Sequence, residues 1–167
     1  LLGPARVDPP AGLAVGAGGG HALPVAPSRS AQPMFSIPIR VYWEDTDAGG
    51  VVYHARYLQF LERARTEWLR SCGYEQGHLS ESIDMVFAVR NMNLDFLRPA
   101  KLDDLLTVRI TLSECRRASF TVWHELRRGE ELLLTGTSQI ACLSATRFKP
   151  RPIPEPLLSL IQAGVAA

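Results

Sequence analysis

The sequence predicts an α+β fold in which one long central helix is wrapped by a curved antiparallel sheet of about five strands. Three observations support this prediction. A helical periodicity runs over residues 54–72, apolar and polar residues alternate in five other segments, and short turns join most of those segments. Short connections favour antiparallel neighbours. The apolar stripe of the helix and the apolar faces of the strands can then bury each other.

The composition indicates one globular domain of nearly balanced charge. A chain of 167 residues with a net charge of +1 can bury a real core and has no excess charge for binding nucleic acid or a membrane surface. No apolar run reaches the length of a membrane span. The three cysteines are far apart and include no CxxC pair, which favours neither a disulfide framework nor a zinc site. We therefore expect a cytoplasmic protein.

The first 33 residues are predicted to be a disordered leader. They are rich in Gly, Ala, Pro and Ser, and their few apolar residues follow neither a helical nor a strand period. The segment lacks the basic start and unbroken apolar core of a signal peptide. Met34 stands directly before the first strand pattern, so the native start is expected there and the leader is interpreted as non-native or a mis-assigned start. The folded domain is then residues 34–167.

The first two elements are a strand and the long helix. Residues from Phe35 to Trp43 alternate with the period of a strand, and Pro38 within them indicates an edge strand or a bulge. The helical pattern then runs from His54 to Cys72, and Gly73 ends it. The apolar face of this helix is formed by Tyr57, Leu61, Ala64, Trp68 and Cys72, with Leu58 and Leu69 beside it.

The rest of the chain is predicted to be mainly strands. Residues 74–84 form a polar connection that holds at most one short helical turn. The four strands that follow are expected at Val86 to Arg98, Leu105 to Leu112, Phe120 to Leu126 and Leu132 to Leu143. Arg128-Gly129-Glu130 is a hairpin turn between the last two strands. Prolines from residue 150 onwards end the sheet, and residues 157–163 form a short terminal helix.

The residues most suited to chemistry stand between the first strand and the helix, in Glu44–His54. Gly49 and Gly50 let the backbone pass close to a ligand, Asp47 lies in the turn, and His54 begins the helix. The N–H groups of a first helical turn have no partner within the helix and carry partial positive charge. An acid beside such a turn can act on a carbonyl group that the turn polarises. An aspartate next to two glycines is also a common turn former, so the residues alone leave a structural role open.

The stretch Tyr42–Tyr57 resembles the motif of hotdog-fold acyl-CoA thioesterases of the 4-hydroxybenzoyl-CoA type. The residues Glu62–Glu67 narrow the resemblance to the YbgC branch, which is associated with the Tol–Pal system, and the similarity spans about Phe35 to Pro152. The resemblance implies a hydrolase that cleaves acyl-CoA thioesters to a free acid and coenzyme A. His54 stands where the 4-hydroxybenzoyl branch has Tyr, which implies an aliphatic acyl group.

The resemblance also implies roles for single residues. Asp47 would act on the thioester carbonyl, either as a nucleophile through an anhydride or as a general base for water. The backbone N–H of His54 would polarise the carbonyl. The substrate-binding residues would be Gly50, Val51, Tyr53, Glu62, Arg116 and Arg117, the two arginines being suited to the phosphates of coenzyme A. For Glu62 and the two arginines, a solvated surface role remains open.

Other kinds of site find less support. Asp45-x-Asp47-x-Gly49 lacks the late Glu of a calcium loop, and the four histidines lack metal-ligand spacing. No metal is expected, and no cofactor other than the coenzyme A of the substrate. His124 shares a strand face with apolar residues and is expected to be packed or interfacial.

Two further expectations concern partners. An exposed sheet edge favours pairing with a second copy, so a homodimer or homotetramer is expected. The alternative to an enzyme is a non-catalytic module that binds acyl-CoA or acyl carrier protein and links lipid metabolism to envelope assembly. An intact Asp47 beside His54 favours the enzyme, since a binding module needs no carboxylate at the scissile carbon.

Overall fold

The structure is a computed structural model that describes residues 33–163. The predicted leader therefore lies outside the described residues, except for Pro33. The elements in chain order are β1 (Phe35–Arg40), a 3₁₀ turn (Trp43–Asp45), α1 (His54–Ser71), α2 (Gln76–Ile83), β2 (Met85–Phe96), β3 (Leu105–Arg116), β4 (Ser119–Arg128), β5 (Glu131–Ser144) and α3 (Glu155–Ala163).

All five strands form one antiparallel sheet in the order β1-β3-β4-β5-β2. Breaks in register at three strand pairs mark bulges, which bend the strands. The consecutive strands β3, β4 and β5 pair with one another, but β2 pairs with β5 and not with β3. The segment 97–104 therefore runs from the β2 edge past β5 and β4 to β3. Gly136 on β5 permits this pairing, because a Cβ there would lie 2.4 Å from the backbone oxygen of Asn93 on β2. Pro38 lies on an edge strand, as predicted.

The long helix covers one face of the sheet as expected. Its contacts with the sheet are mainly with β1 and β3. The predicted apolar face is confirmed at Tyr57, Leu61, Ala64 and Trp68, which are all buried, whereas Cys72 is half-buried and Leu58 is exposed. Burial of this face against the sheet forms one continuous core, which fixes the helix start relative to the strands.

The first strand is shorter than predicted. It ends at Arg40, and Trp43 lies in the 3₁₀ turn with 77% of its surface exposed instead of continuing the buried face. The carboxylate of Asp45 accepts a hydrogen bond from the backbone N–H of Tyr42 (2.8 Å), which bends the chain away from the strand direction. Strand alternation in the sequence could not reveal this bond.

The segment after α1 also differs from the prediction. The sequence predicted a polar connection with at most one short helical turn, but the structure has a helix of eight residues, α2. The buried side chain of Leu79 anchors this helix. The strands β3, β4 and β5 each extend beyond their predicted ends, while β2 stops at Phe96 and not at Arg98.

The sheet has two ends, which we call proximal and distal. The proximal end holds the pair Arg40–Leu105, at which β1 stops, and the distal end holds the pair Met85–Ser144. The twelve residues of β3 separate the two ends by roughly 36 Å along the strand, at about 3.3 Å per residue.

Candidate active site

A tight loop at the proximal end presents Asp47. Thr46 and Val52 form a β-bridge, and the N–H of Asp47 donates to the carbonyl oxygen of Val51 (3.0 Å). The N–H of Gly50 donates in turn to the carbonyl oxygen of Asp47 (3.0 Å), and Gly50 has a φ of +72°. This positive φ explains the glycine, because other residues rarely adopt it.

The side chain of Asp47 is exposed and held in one orientation. Its Oδ1 accepts a hydrogen bond from the N–H of Gly49 (2.8 Å). A Cβ on Gly49 would lie 3.0 Å from the same oxygen, so glycine allows this close contact. Oδ2 accepts no hydrogen bond from residues 33–163. The arrangement is that of a turn former, and it also leaves the second carboxylate oxygen of an exposed side chain without a hydrogen bond from the described residues and therefore available to a ligand.

Asp45 fixes the loop to the helix start. It is only 1% exposed, and its backbone oxygen accepts a hydrogen bond from the N–H of Tyr53 (2.9 Å). Its Oδ1 makes no hydrogen bond within the described chain and lies 3.9 Å from Nε of Arg56 on the first turn of α1. Asp45 therefore holds the loop against the first turn of α1.

The N-terminus of α1 has no side-chain cap. Tyr53 is the N-cap residue, its backbone is extended, and its side chain makes no capping hydrogen bond. The His54 side chain is exposed, and the centre of its ring lies 4.3 Å from the centre of the Tyr53 ring. The N–H of Arg56 donates to the oxygen of Tyr53 (2.8 Å). The N–H groups before it have no acceptor within the helix, which suits a carbonyl oxygen of a ligand.

Ala100, in the segment between β2 and β3, holds this region by two hydrogen bonds. Its carbonyl oxygen accepts the N–H of Val52 and its N–H donates to the hydroxyl oxygen of Tyr57, both at 2.9 Å. Burial raises the pKa of Tyr57, which keeps the hydroxyl protonated. The loop and the first turn of α1 are thus held from two sides.

The predicted site residues fall into three groups. Asp47, Gly50, Val51, Tyr53 and His54 lie together in the loop and the helix start. Glu62 lies eight residues along α1, roughly 12 Å from the helix start at about 1.5 Å per residue. It is 51% exposed, and it pairs with Arg65 beside a cavity of about 30 Å³, which has room for one water molecule.

The third group, Arg116 and Arg117, lies at the distal end. Both side chains are exposed in the β3–β4 turn, and Nε of Arg116 donates to Glu114 (2.7 Å). Because the length of β3 separates this turn from Asp47, one chain does not bring the arginines and the carboxylate into one site.

A buried polar cluster lies between α1 and the sheet. Arg65 is 8% exposed, and His124 and Ser138 are fully buried. Nε2 of His124 is 2.9 Å from the Ser138 hydroxyl and 3.4 Å from Nη1 of Arg65. Burial, with the Arg65 charge as a second cause, lowers the pKa of His124 to about 3. His124 is packed, as predicted. Arg65 was missed, although its i+4 spacing from Leu61 and i−3 spacing from Trp68 place it on the buried face.

Two absences hold for the described range. Between residues 33 and 163, no group of His, Cys, Asp and Glu side chains is arranged to bind a metal ion. Over the same range, no helix is both long enough and apolar enough to cross a membrane.

Comparison with known proteins gives consistent matches. The family model described as the thioesterase-like superfamily matches residues 41–161. An acyl-CoA thioesterase YbgC from Haemophilus influenzae is 46% identical over 121 residues, covering 72% of this chain and 89% of that protein. An acyl-CoA thioester hydrolase YbgC from Escherichia coli O157:H7 is 39% identical over 127 residues, covering 75% and 94%.

Solved structures show the same fold. A probable thioesterase from Bartonella henselae superposes with a TM-score of 0.68 at 40% identity, covering 71% of this chain and 98% of that one. A 1,4-dihydroxy-2-naphthoyl-CoA thioesterase from Synechocystis superposes with a TM-score of 0.71 at 28% identity, covering 77% and 95%.

Proposed function

The chain belongs to the thioesterase-like superfamily, and on that premise we propose that it hydrolyses acyl-CoA thioesters to a free acid and coenzyme A. The resemblance to hotdog-fold thioesterases of the YbgC branch is confirmed by relatives that are 39–46% identical over most of the chain. The observation that supports the chemistry best is the carboxylate of Asp47, which is exposed and held by the N–H of Gly49 next to an uncapped helix start.

The proposed reaction uses the loop and the helix start together. The thioester carbonyl accepts hydrogen bonds from the N–H groups of the first turn, including that of His54, and its carbon becomes more electrophilic. Oδ2 of Asp47 then attacks this carbon, the C–S bond breaks, and coenzyme A leaves as the thiolate. Water hydrolyses the resulting anhydride and regenerates the carboxylate. In the alternative mechanism, Asp47 takes a proton from water, which attacks directly. We propose an aliphatic acyl group, because His54 stands where the 4-hydroxybenzoyl branch has Tyr.

The proposed active unit is a dimer. β2 is a twelve-residue edge strand, and Val89 and Phe96 on it are 45% and 48% exposed. Antiparallel pairing of two β2 strands across a two-fold axis sets the distal end of one copy beside the proximal end of the other. Arg116 and Arg117 then approach the Asp47 of the partner and the phosphates of its coenzyme A. Two such dimers can pair into a tetramer. A fully active monomer in a sedimentation experiment would contradict this arrangement.

Other parts of the proposal concern the cellular setting. A cytoplasmic location, association with the Tol–Pal system and acyl carrier protein as a second partner stay predictions. The non-catalytic alternative predicts tight binding of acyl-CoA without release of free thiol. The two classes therefore differ in one measurement.

The experiment is an acyl-CoA chain-length panel with detection of free thiol. Asp47→Asn keeps the shape of the side chain and an oxygen that accepts the Gly49 N–H, but the amide is a poor nucleophile and a poor base. We expect kcat to fall by about 10²–10⁴-fold with an unchanged melting temperature. Glu44→Gln, which removes an exposed carboxylate three residues away, is the matched control and should keep full activity. Retention of most activity in Asp47→Asn would exclude Asp47 from the chemistry.

A further inference from the structure

The side chain of Tyr57 is buried close to the start of α1. Tyr57 is 3% exposed, and the centre of its ring lies 6.1 Å from that of Phe60 and 5.4 Å from that of Phe96, in edge-to-face contact with both. Because Phe96 ends β2, the ring is held both by the helix and by the sheet. Side chains on a helix lean towards its N-terminus, which brings the hydroxyl back towards the helix start. The hydroxyl is therefore a fixed point beside the candidate site.

Ala100 links this hydroxyl to the loop that carries Asp47. The N–H of Ala100 donates to the hydroxyl oxygen of Tyr57, and the carbonyl oxygen of Ala100 accepts the N–H of Val52, both at 2.9 Å. Val52 is paired with Thr46 in the β-bridge that closes the loop. Together with the chain between Val52 and Tyr57, these two bonds close a ring across the start of α1.

The bond between Ala100 and Tyr57 is difficult to replace. Ala100 is fully buried, so its N–H cannot bond to bulk water when the hydroxyl is lost. Ala100 lies in the segment 97–104, which contains no helix or strand. Burial raises the pKa of Tyr57, so the hydroxyl stays protonated. A neutral phenol oxygen is then available at all times as the acceptor for this N–H.

We infer that Tyr57 is a positioning residue of the proposed reaction: through Ala100 it holds the loop of Asp47 against the start of α1, and it does not itself touch the substrate. The inference rests on the proposed function, since that reaction needs the Asp47 carboxylate and the N–H of His54 at fixed relative positions. A misplacement of about 1 Å can lower a rate about 100-fold. Loss of the hydroxyl should therefore lower turnover more than it weakens binding.

The test is Tyr57→Phe, which keeps the buried ring and removes the oxygen that accepts the Ala100 N–H. The variant should fold, with a melting temperature lower by about 4–10 °C, because one buried N–H loses its partner. In the free-thiol assay, well below that temperature, we expect kcat to fall about tenfold and KM to stay within about twofold of the wild type. A loss of this kind indicates a group that affects the transition state and not the binding of substrate.

Two control variants separate positioning from a simple loss of stability. Tyr74→Phe removes the same atom from a half-buried tyrosine after α1, whose hydroxyl bonds to no other residue between 33 and 163. Ile161→Val removes one carbon from a fully buried side chain on α3 and should lower the melting temperature. Both variants should keep the wild-type kcat. An equal loss of kcat in Ile161→Val would overturn the inference, because stability alone would then explain the effect.

Amide hydrogen exchange measures the positioning directly and needs no turnover, so it tests the inference even if the protein releases no thiol. Relative to the amides of the central strand β4, the N–H of Val52 should exchange about tenfold faster in Tyr57→Phe but not in Ile161→Val. Unchanged protection of Val52 would overturn the inference. A raised KM with unchanged kcat would also overturn it, because it would indicate direct contact between the hydroxyl and the substrate.

Discussion

We expect the buried His124 to make the stability of this protein sensitive to mild acid. Its pKa is about 3 in the folded chain against an ordinary 6.5, because burial and the neighbouring Arg65 charge oppose protonation. Below pH 6.5, the unfolded chain binds a proton at this residue that the folded chain does not bind. The free energy of unfolding therefore falls as the pH drops, and this contribution is fully present only above pH 6.5.

The size of the effect follows from the two pKa values. Between pH 7.5 and pH 5.0, the free energy of unfolding should decrease by about 2 kcal/mol, and it should continue to fall by about 1.4 kcal/mol per pH unit until the pH approaches 3. Against a typical total of roughly 5–15 kcal/mol, this loss is easily measured.

The assay is urea unfolding at four pH values from 7.5 to 5.0, at one fixed protein concentration. His124→Gln keeps a hydrogen-bonding side chain beside Ser138 but cannot titrate, so most of the decrease should disappear. His78→Gln removes an exposed histidine on α2 and should keep the decrease. A decrease of the same size in His124→Gln would refute the reasoning and assign the acid sensitivity to other groups.

Two other predictions concern the site and the sheet. His54→Ala should reduce kcat less than Asp47→Asn in the free-thiol assay, because the proposed donor is the backbone N–H; equal losses would bring the imidazole into the mechanism. Gly136→Ala should destabilise the fold by roughly 1–3 kcal/mol or more, because the new Cβ would lie 2.4 Å from the oxygen of Asn93 and 2.5 Å from Cδ2 of Leu94. Urea unfolding measures this loss. An unchanged unfolding midpoint would contradict the prediction, because it would show that β2 can move to accommodate the methyl group.

The long helix and the loop before it could be predicted from the sequence because their signals are local. The helix begins at His54 as expected and ends at Ser71, one residue early, before Gly73 with its φ of +86°. Gly50 also has the positive φ that a tight turn needs. In these places, the type of residue by itself indicates the local backbone conformation.

Features that depend on distant partners could not be predicted. Arg65 is buried because it reaches His124 and Ser138, which are 59 and 73 residues away in the chain. Trp43 is exposed because of a bond between Asp45 and Tyr42, although strand alternation places it inside. The periodicity of a strand gives its length and its faces but not its neighbours, and so the position of β2 beside β5 was not evident.

The two edges of the sheet differ in their capacity to extend it. β1 has six residues and contains Pro38, which has no N–H to offer, whereas β2 has twelve residues and lacks proline. A short edge with a proline is a poor template for another strand. If two copies join through β2, the long edge strand of each sheet is already paired. The combined ten-stranded sheet then ends at both sides in a β1 strand. Growth into a fibre then stops at two chains, so the proline in β1 acts as a terminator of polymerisation.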